Sequence, residues 1–175
     1  MGESIKVVAV LAANPALSSI LTMVLAGCPT LRVRLFESQA ALTTYMRLAP
    51  VDVLVTDFDC ADAPANEVAD ALRHDTRLFR RDFSIIALTR TVTETTKRAA
   101  VSTGIDEVIV KPMSPRYLLE RVLSRLRRAE RLVGGRTYRG PERRERIAMP
   151  RVAAYGRSTD NVVALFGRDE RPGIH

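Results

Sequence analysis

Five largely apolar runs rich in β-branched residues recur along the chain, at Ile5–Leu11, Leu31–Phe36, Val51–Thr56, Phe83–Leu88 and Glu107–Val110. The segments between them carry helical spacing and recognisable start signals. Asn14-Pro15 pairs an N-cap with proline at the first helical position, and Leu17, Ile20, Leu21, Val24 and Leu25 follow at i, i+3, i+4 steps. Ser38 caps a second helix presenting Leu42, Tyr45 and Met46, and Pro64 opens a third with Val68 and Leu72. Thr93–Thr103 makes a fourth, stopped by Gly104. Ser114-Pro115 repeats the cap-plus-proline signal for a fifth, with Leu118, Leu119, Val122, Leu123 and Leu126 on its inner face.

Strict alternation of strand and helix with short connections predicts a parallel sheet covered on both faces. The runs Val7–Leu11 and Val53–Val55 are apolar without a break, as strands buried on both sides should be, whereas Arg32 and Arg34 alternate with apolar residues in Leu31–Phe36, which suits an edge. The fold class is therefore α/β, a doubly wound five-stranded parallel sheet of (βα)5 type. In such a sheet ligands sit in the crevice at the carboxyl ends of the strands, here beyond the first and third.

Charge divides the chain in two. Residues 1–115 hold 12 Lys+Arg and 13 Asp+Glu, while residues 116–175 hold 15 basic and 7 acidic side chains, so the net charge of +7 belongs to the end. We expect residues 1–130 to form one domain, and residues 131–175 a basic, Gly- and Arg-rich tail with no core of its own. Within the tail, Val162–Phe166 is a lone apolar patch suited to adding a strand to a sheet edge, on this chain or a partner. Two cysteines, Cys28 and Cys60, cannot build a disulfide framework or a four-ligand zinc site, and the two histidines, His74 and His175, form no cluster. The absence of tryptophan and a 5% aromatic content argue against a stacking platform for single-stranded nucleic acid. The first apolar run is far short of the roughly 20 residues that span a bilayer, and no export signal precedes it. The expected setting is the cytoplasm, with no membrane contact and both thiols reduced.

The alternation puts particular side chains at the ligand edge. Asp57 follows the third strand, Thr89 ends the fourth, and Lys111 follows the fifth, ahead of Pro112. A carboxylate, a hydroxyl and an ammonium so placed suit phosphoryl transfer. The carboxylate can attack phosphorus and become an acyl phosphate, while the other two meet phosphoryl oxygens. Of the 27 basic residues only Lys6, Lys97 and Lys111 are lysine, so a lysine at this edge points to a need for a compact charge.

With VDVLVTD ending in Asp57, SIIALT ending in Thr89, and VIVKP containing Lys111-Pro112, the chain resembles the receiver domain of two-component response regulators over roughly residues 4–128. The resemblance implies a flavodoxin-like fold and a phospho-acceptor at Asp57, served by a histidine kinase or phosphotransfer protein. It implies a switch hydroxyl at Thr89, a phosphate-pairing lysine at Lys111 and a cis bond before Pro112. It also has departures. Receivers place two acidic residues after the first strand to hold Mg²⁺, where this chain reads VLAANP, with Ala12 and Ala13 in those positions. Magnesium is thus expected to bind weakly or not at all, with Asp57 and Asp59 the remaining carboxylate candidates and Asn14 a neutral one. Arg90 replaces the small residue after the switch hydroxyl, and Val108 replaces the aromatic rotor.

Three functions follow. The first is a stand-alone atypical response regulator, not an enzyme, that signals by protein contact with a downstream partner. The second is a pseudo-receiver scaffold indifferent to phosphate. The third is a phosphatase of the haloacid-dehalogenase type, because VLVTDFD also fits that family's DxD motif; that motif usually opens the first core strand, and an acidic pair should follow the lysine. Plainer roles stand beside these: Asp57 as a structural partner of Lys111, Thr89 as a turn residue, Asp59 as a solvated loop acid, Cys60 as a small buried thiol, Arg90 and His74 as surface side chains. Homodimerisation is left open. Tyr138–Glu145, YRGPERRE, resembles a short Y-x-GP-[DE]-RR signature found after some alphaproteobacterial receivers without a DNA-binding output domain. There Arg139, Arg143, Arg144 and Arg146 are candidates for an acidic partner. No helix-turn-helix or zinc module follows, so specific DNA reading is not expected.

Overall fold

A computed structural model describes residues 5–60, 63–129 and 162–163. The elements run β1 (Lys6–Leu11), α1 (Pro15–Ala26), β2 (Leu31–Phe36), α2 (Gln39–Leu48), β3 (Val53–Asp57), α3 (Ala65–His74), β4 (Ser84–Thr89), α4 (Glu94–Ser102), β5 (Glu107–Val110), α5 (Pro115–Ala129) and β6 (Val162–Val163). Strand order is β2-β1-β3-β4-β5-β6, with β1 to β5 parallel and β6 antiparallel to β5. The five-strand expectation holds for the parallel part. The sixth strand, from the apolar patch of the tail, extends it on this chain's own sheet through Val108↔Val163 and Ile109↔Val162. The rest of the tail, including Arg139, Arg143, Arg144 and Arg146, lies outside the described residues.

Helix starts follow the sequence signals. Asn14 Oδ1 accepts from the backbone N–H of Ala16 and Leu17, Ser38 Oγ from Ala41, Thr93 Oγ1 from Thr96 and Ser114 Oγ from Tyr117. Each bond satisfies a donor that the helix itself leaves unpaired. Gly104 ends the α4 turn at φ +78°, a left-handed conformation that costs other residues about 1–2 kcal/mol.

Strand side chains alternate between two cores. Val8, Val10, Val53, Val55, Ile86, Leu88 and Ile109 face Leu21 and Leu25 of α1 and Leu118, Val122 and Leu126 of α5. On the other side, Ala9, Leu54, Ile85 and Val108 face Leu42, Met46, Val68, Leu72 and Ala100 from α2, α3 and α4. Each fully buried Leu or Ile contributes about 1.5–3 kcal/mol, which is what holds a central strand such as β3 between two helical layers. The helical stripe expected on α1 is narrower than the sequence suggests. Ile20 is 53% exposed, because α1 packs through Leu17, Ser18, Leu21 and Leu25 and Ile20 lies outside that face.

Carboxylates brace the end of the sheet opposite the ligand edge. Asp52 Oδ2 accepts from Val7 N–H and its Oδ1 from Arg80, while Asp106 Oδ2 accepts from Ile85 N–H and from Arg73. Glu107, 2% exposed, takes Arg121 on one oxygen and Arg125 on the other. Two of the arginines in the basic part of the chain after residue 115 are thus tied to a buried carboxylate. No described helix is long and apolar enough to cross a membrane.

Candidate functional site

Asp57 ends β3, Thr89 ends β4, and Lys111 follows β5 directly, across a cis bond to Pro112. Parallel pairing brings these ends to one edge. Lys111 N–H donates to the Thr89 carbonyl and Phe58 N–H to the Leu88 carbonyl, each at 2.7 Å. The Lys111 ammonium lies 2.8 Å from Asp57 Oδ1 and 2.9 Å from Oδ2. Although Asp57 is 54 residues away in the chain, its carboxylate is almost wholly sheltered by this contact and by the surrounding strands.

Asp59 is the residue whose position the sequence left least defined. Its Oδ2 is 2.9 Å from Lys111 Nζ, and it accepts from Arg90 N–H at 2.9 Å and pairs with Arg90 Nε at 3.3 Å. Its own N–H donates to Asp57 Oδ1 at 2.9 Å, linking the two acids through the turn. Burial alone would raise the Asp59 carboxyl, but Lys111 and Arg90 outweigh it and hold it below the ordinary carboxylate range. Burial likewise opposes the charge of Lys111, yet Asp57 and Asp59 together keep its ammonium above its usual pKa. The plainer reading of Asp59 as a solvated acid is corrected by these contacts. Arg90 is 75% exposed at its side chain, but it is engaged through both backbone and guanidinium.

Thr89 is buried, and its hydroxyl donates to the Thr91 carbonyl at 2.8 Å, with Asp59 Oδ1 farther off at 3.4 Å. The hydroxyl therefore faces the loop after β4 and reaches Asp57 only through Asp59. Val108 is fully buried in the β5 core, so no side chain at that position swings between pocket and surface. Cys60 is half-buried against the α2–α3 core, and His74 is exposed beside Asp70, as its helix-end position suggested.

The residues present do not fit a divalent cation. The register that pairs Leu11 with Thr56 brings Ala12 and Asp57 to the next positions of β1 and β3. Ala12 and Ala13 offer no side-chain oxygen there. The Asn14 oxygen is committed to its helix cap at 2.9 and 3.3 Å, and both remaining carboxylates are held by Lys111. Among the described residues no group of three or more His, Cys, Asp or Glu side chains could hold a metal ion. The DxD pair begins with Asp57 at the end of the third strand in chain order, with Asp59 in the turn after it. Past Lys111 the only described carboxylate is Glu120 on α5, so the acidic pair expected of a dehalogenase-type phosphatase has no counterpart among the described residues; Asp160, the lone aspartate that the sequence offers for that pair ahead of its last few residues, lies outside them.

Neither a protein-family model nor a curated protein matches this chain. Solved structures do. The BeF3-activated DrrB receiver domain superposes with a TM-score of 0.61 at 21% identity, covering 71% of this chain and 99% of that one. A CheY-like response regulator receiver domain protein from Methanospirillum hungatei JF-1 gives 0.65 at 18% identity, over 73% and 98% of the two chains. Chemotaxis protein CheY4 of Vibrio cholerae gives 0.63 at 18%, over 69% and 98%. The strand order, the five covering helices and these superpositions agree: the chain has the fold of response-regulator receiver domains.

Proposed function

We propose that this protein is a signalling module of a two-component system, accepting a phosphoryl group on Asp57 and transmitting its state by protein contact. The observation that carries the proposal is the meeting of Asp57 and Lys111 at the carboxyl edge of the sheet, both oxygens within 2.9 Å of one ammonium. A carboxylate there can attack phosphorus. A P–O bond forms at Asp57 and the P–N bond of a phosphohistidine breaks, its electron pair leaving with the imidazole. Lys111 then follows the negative charge onto the phosphoryl oxygens. Thr89, released from Thr91, can donate to another of them and so register the event in the loop after β4. The donor in this reading is a histidine kinase or phosphotransfer protein of the cytoplasm, and the receiver of the signal is a protein.

Intact-mass spectrometry after incubation with a phosphohistidine donor tests this. One phosphoryl adduct is expected on the wild type and none on Asp57→Ala. An unmodified wild type with every donor tried would remove phospho-acceptance. A second reading, a scaffold that keeps the fold without accepting phosphate, draws on Ala12, Ala13 and the engagement of Lys111 with two acids at once. It predicts that partner binding is the same for wild type and Asp57→Ala.

A further inference from the structure

We infer that the Asp57 pocket handles a phosphoryl group without a divalent cation, its positive charge coming from Lys111 and Arg90. The inference rests on the reading of Asp57 as phospho-acceptor and concerns how that site is charged. Two carboxylates, Asp57 and Asp59, meet two cations, Lys111 and Arg90, so the cluster is formally neutral from its own side chains. The ammonium occupies the place between the acids that a bridging cation would need, 2.8 Å from Asp57 and 2.9 Å from Asp59. Magnesium demands oxygen ligands in near-octahedral geometry at about 2.0–2.1 Å. To enter, it would displace Lys111 and still find methyl groups at Ala12 and Ala13 and a committed oxygen at Asn14.

The incoming group brings negative charge that some cation must meet. Lys111 meets part of it. Among the described residues the other cation at the cluster is Arg90, whose guanidinium touches it through Nε at 3.3 Å and whose side chain is 75% exposed, so it is free to turn. Its planar fork suits two phosphoryl oxygens at once. Its backbone N–H, 2.9 Å from Asp59 Oδ2, stays in place as the side chain turns and keeps that carboxylate from facing the new charge unpaired. Asp59 thus acts as the resting partner of both cations and releases them when Asp57 forms its P–O bond and the donor's P–N bond breaks.

The test uses the full chain with phosphoramidate as donor, in EDTA and in millimolar magnesium, read by intact mass. Labelling at similar rates in both is expected. Arg90→Ala, checked for folding by its melting curve, should slow labelling in EDTA about tenfold or more, the effect of losing one charged hydrogen bond. A parallel titration of unmodified protein with magnesium, followed by amide NMR, should leave Asp57–Asp59 and Lys111 unshifted. The Ala12→Asp, Ala13→Asp double variant should gain a saturable shift there. Labelling that needs magnesium, or saturable wild-type shifts at Asp57–Asp59, would overturn the inference and leave Asp57 as acceptor. Metal-free labelling that Arg90→Ala does not slow would remove Arg90 from it. If neither condition labels the protein, phospho-acceptance fails and with it this inference, whatever the titration shows.

Discussion

Replacing Lys111 by methionine isolates what the central ammonium does. The substitution keeps the unbranched apolar stem of the side chain but leaves Asp57 and Asp59 facing each other without the charge that joins them. At a separation of 2.9 Å and an effective dielectric constant near 20, one ion pair is worth about 6 kcal/mol of gross Coulomb attraction. Most of that is cancelled by the desolvation of both partners. Lys111 and its partners retain 12–20% side-chain exposure, so solvent screens part of the remainder. A net loss of about 2–3 kcal/mol is expected. For a domain of this size that lowers the melting temperature by roughly 8–12 °C, near 4 °C per kcal/mol. Asp59→Asn should cost less, since Asp57 and Lys111 remain paired in that variant. Thermal melts at pH 7 and low salt measure both. Magnesium should stabilise Lys111→Met, whose two acids have lost the ammonium between them, and leave the wild type unchanged. A melting point for Lys111→Met equal to or above that of Asp59→Asn would refute the picture of Lys111 as the shared counter-ion.

Four further outcomes follow from the same structure. Asp59 and Asp82 have folded pKa values below the usual 3.8, so their stabilisation is present above that value and lost as pH falls through the depressed folded pKa. Urea midpoints should fall on the acid side of pH 4, and less steeply in Asp59→Asn. Lys111 shifts the other way: its contribution is full below 10.5 and disappears only as pH rises through its higher folded pKa, so midpoints from pH 7 to 9 should not move on its account. Gly104→Ala should cost about 1–2 kcal/mol, because φ is +78° and the added Cβ would sit 3.1 Å from Arg73 Nε; chemical denaturation reads it directly. Glu107→Gln, which leaves Arg121 and Arg125 against a neutral group, should cost about 3 kcal/mol by urea unfolding, whereas a surface change such as Glu120→Gln should stay within about 0.5 kcal/mol.

The parts legible in the sequence share a physical property: each is decided locally. Asn14, Ser38, Thr93 and Ser114 cap helices through bonds two or three residues long, so the signal and its effect lie in one short window. Val53–Val55 reads as a doubly buried strand because its composition is the burial. The convergence of Asp57, Thr89 and Lys111 was also legible, although it is long-range. A parallel sheet brings every carboxyl end to the same edge, so topology did the work that contacts would otherwise do. Ile20 shows where periodicity stops. Its spacing fits the α1 stripe, yet the width of that stripe depends on how the helix lies on the sheet.

By itself, then, the sequence determined the alternation of elements, the parallel sheet and the three side chains at its ligand edge, because strand ends and caps are specified by neighbours in the chain. Only the tertiary structure decided what those side chains meet. Asp59 takes Lys111 and Arg90 across loops separated by 52 and 31 residues, Glu107 draws two arginines of α5 out of the basic surface, and Val162–Val163 closes onto β5. Such pairings are settled by distances between elements and by the cost of leaving a sheltered charge alone. No local pattern carries those quantities, and a carboxylate two residues after Asp57 reads the same whether it faces water or holds two cations.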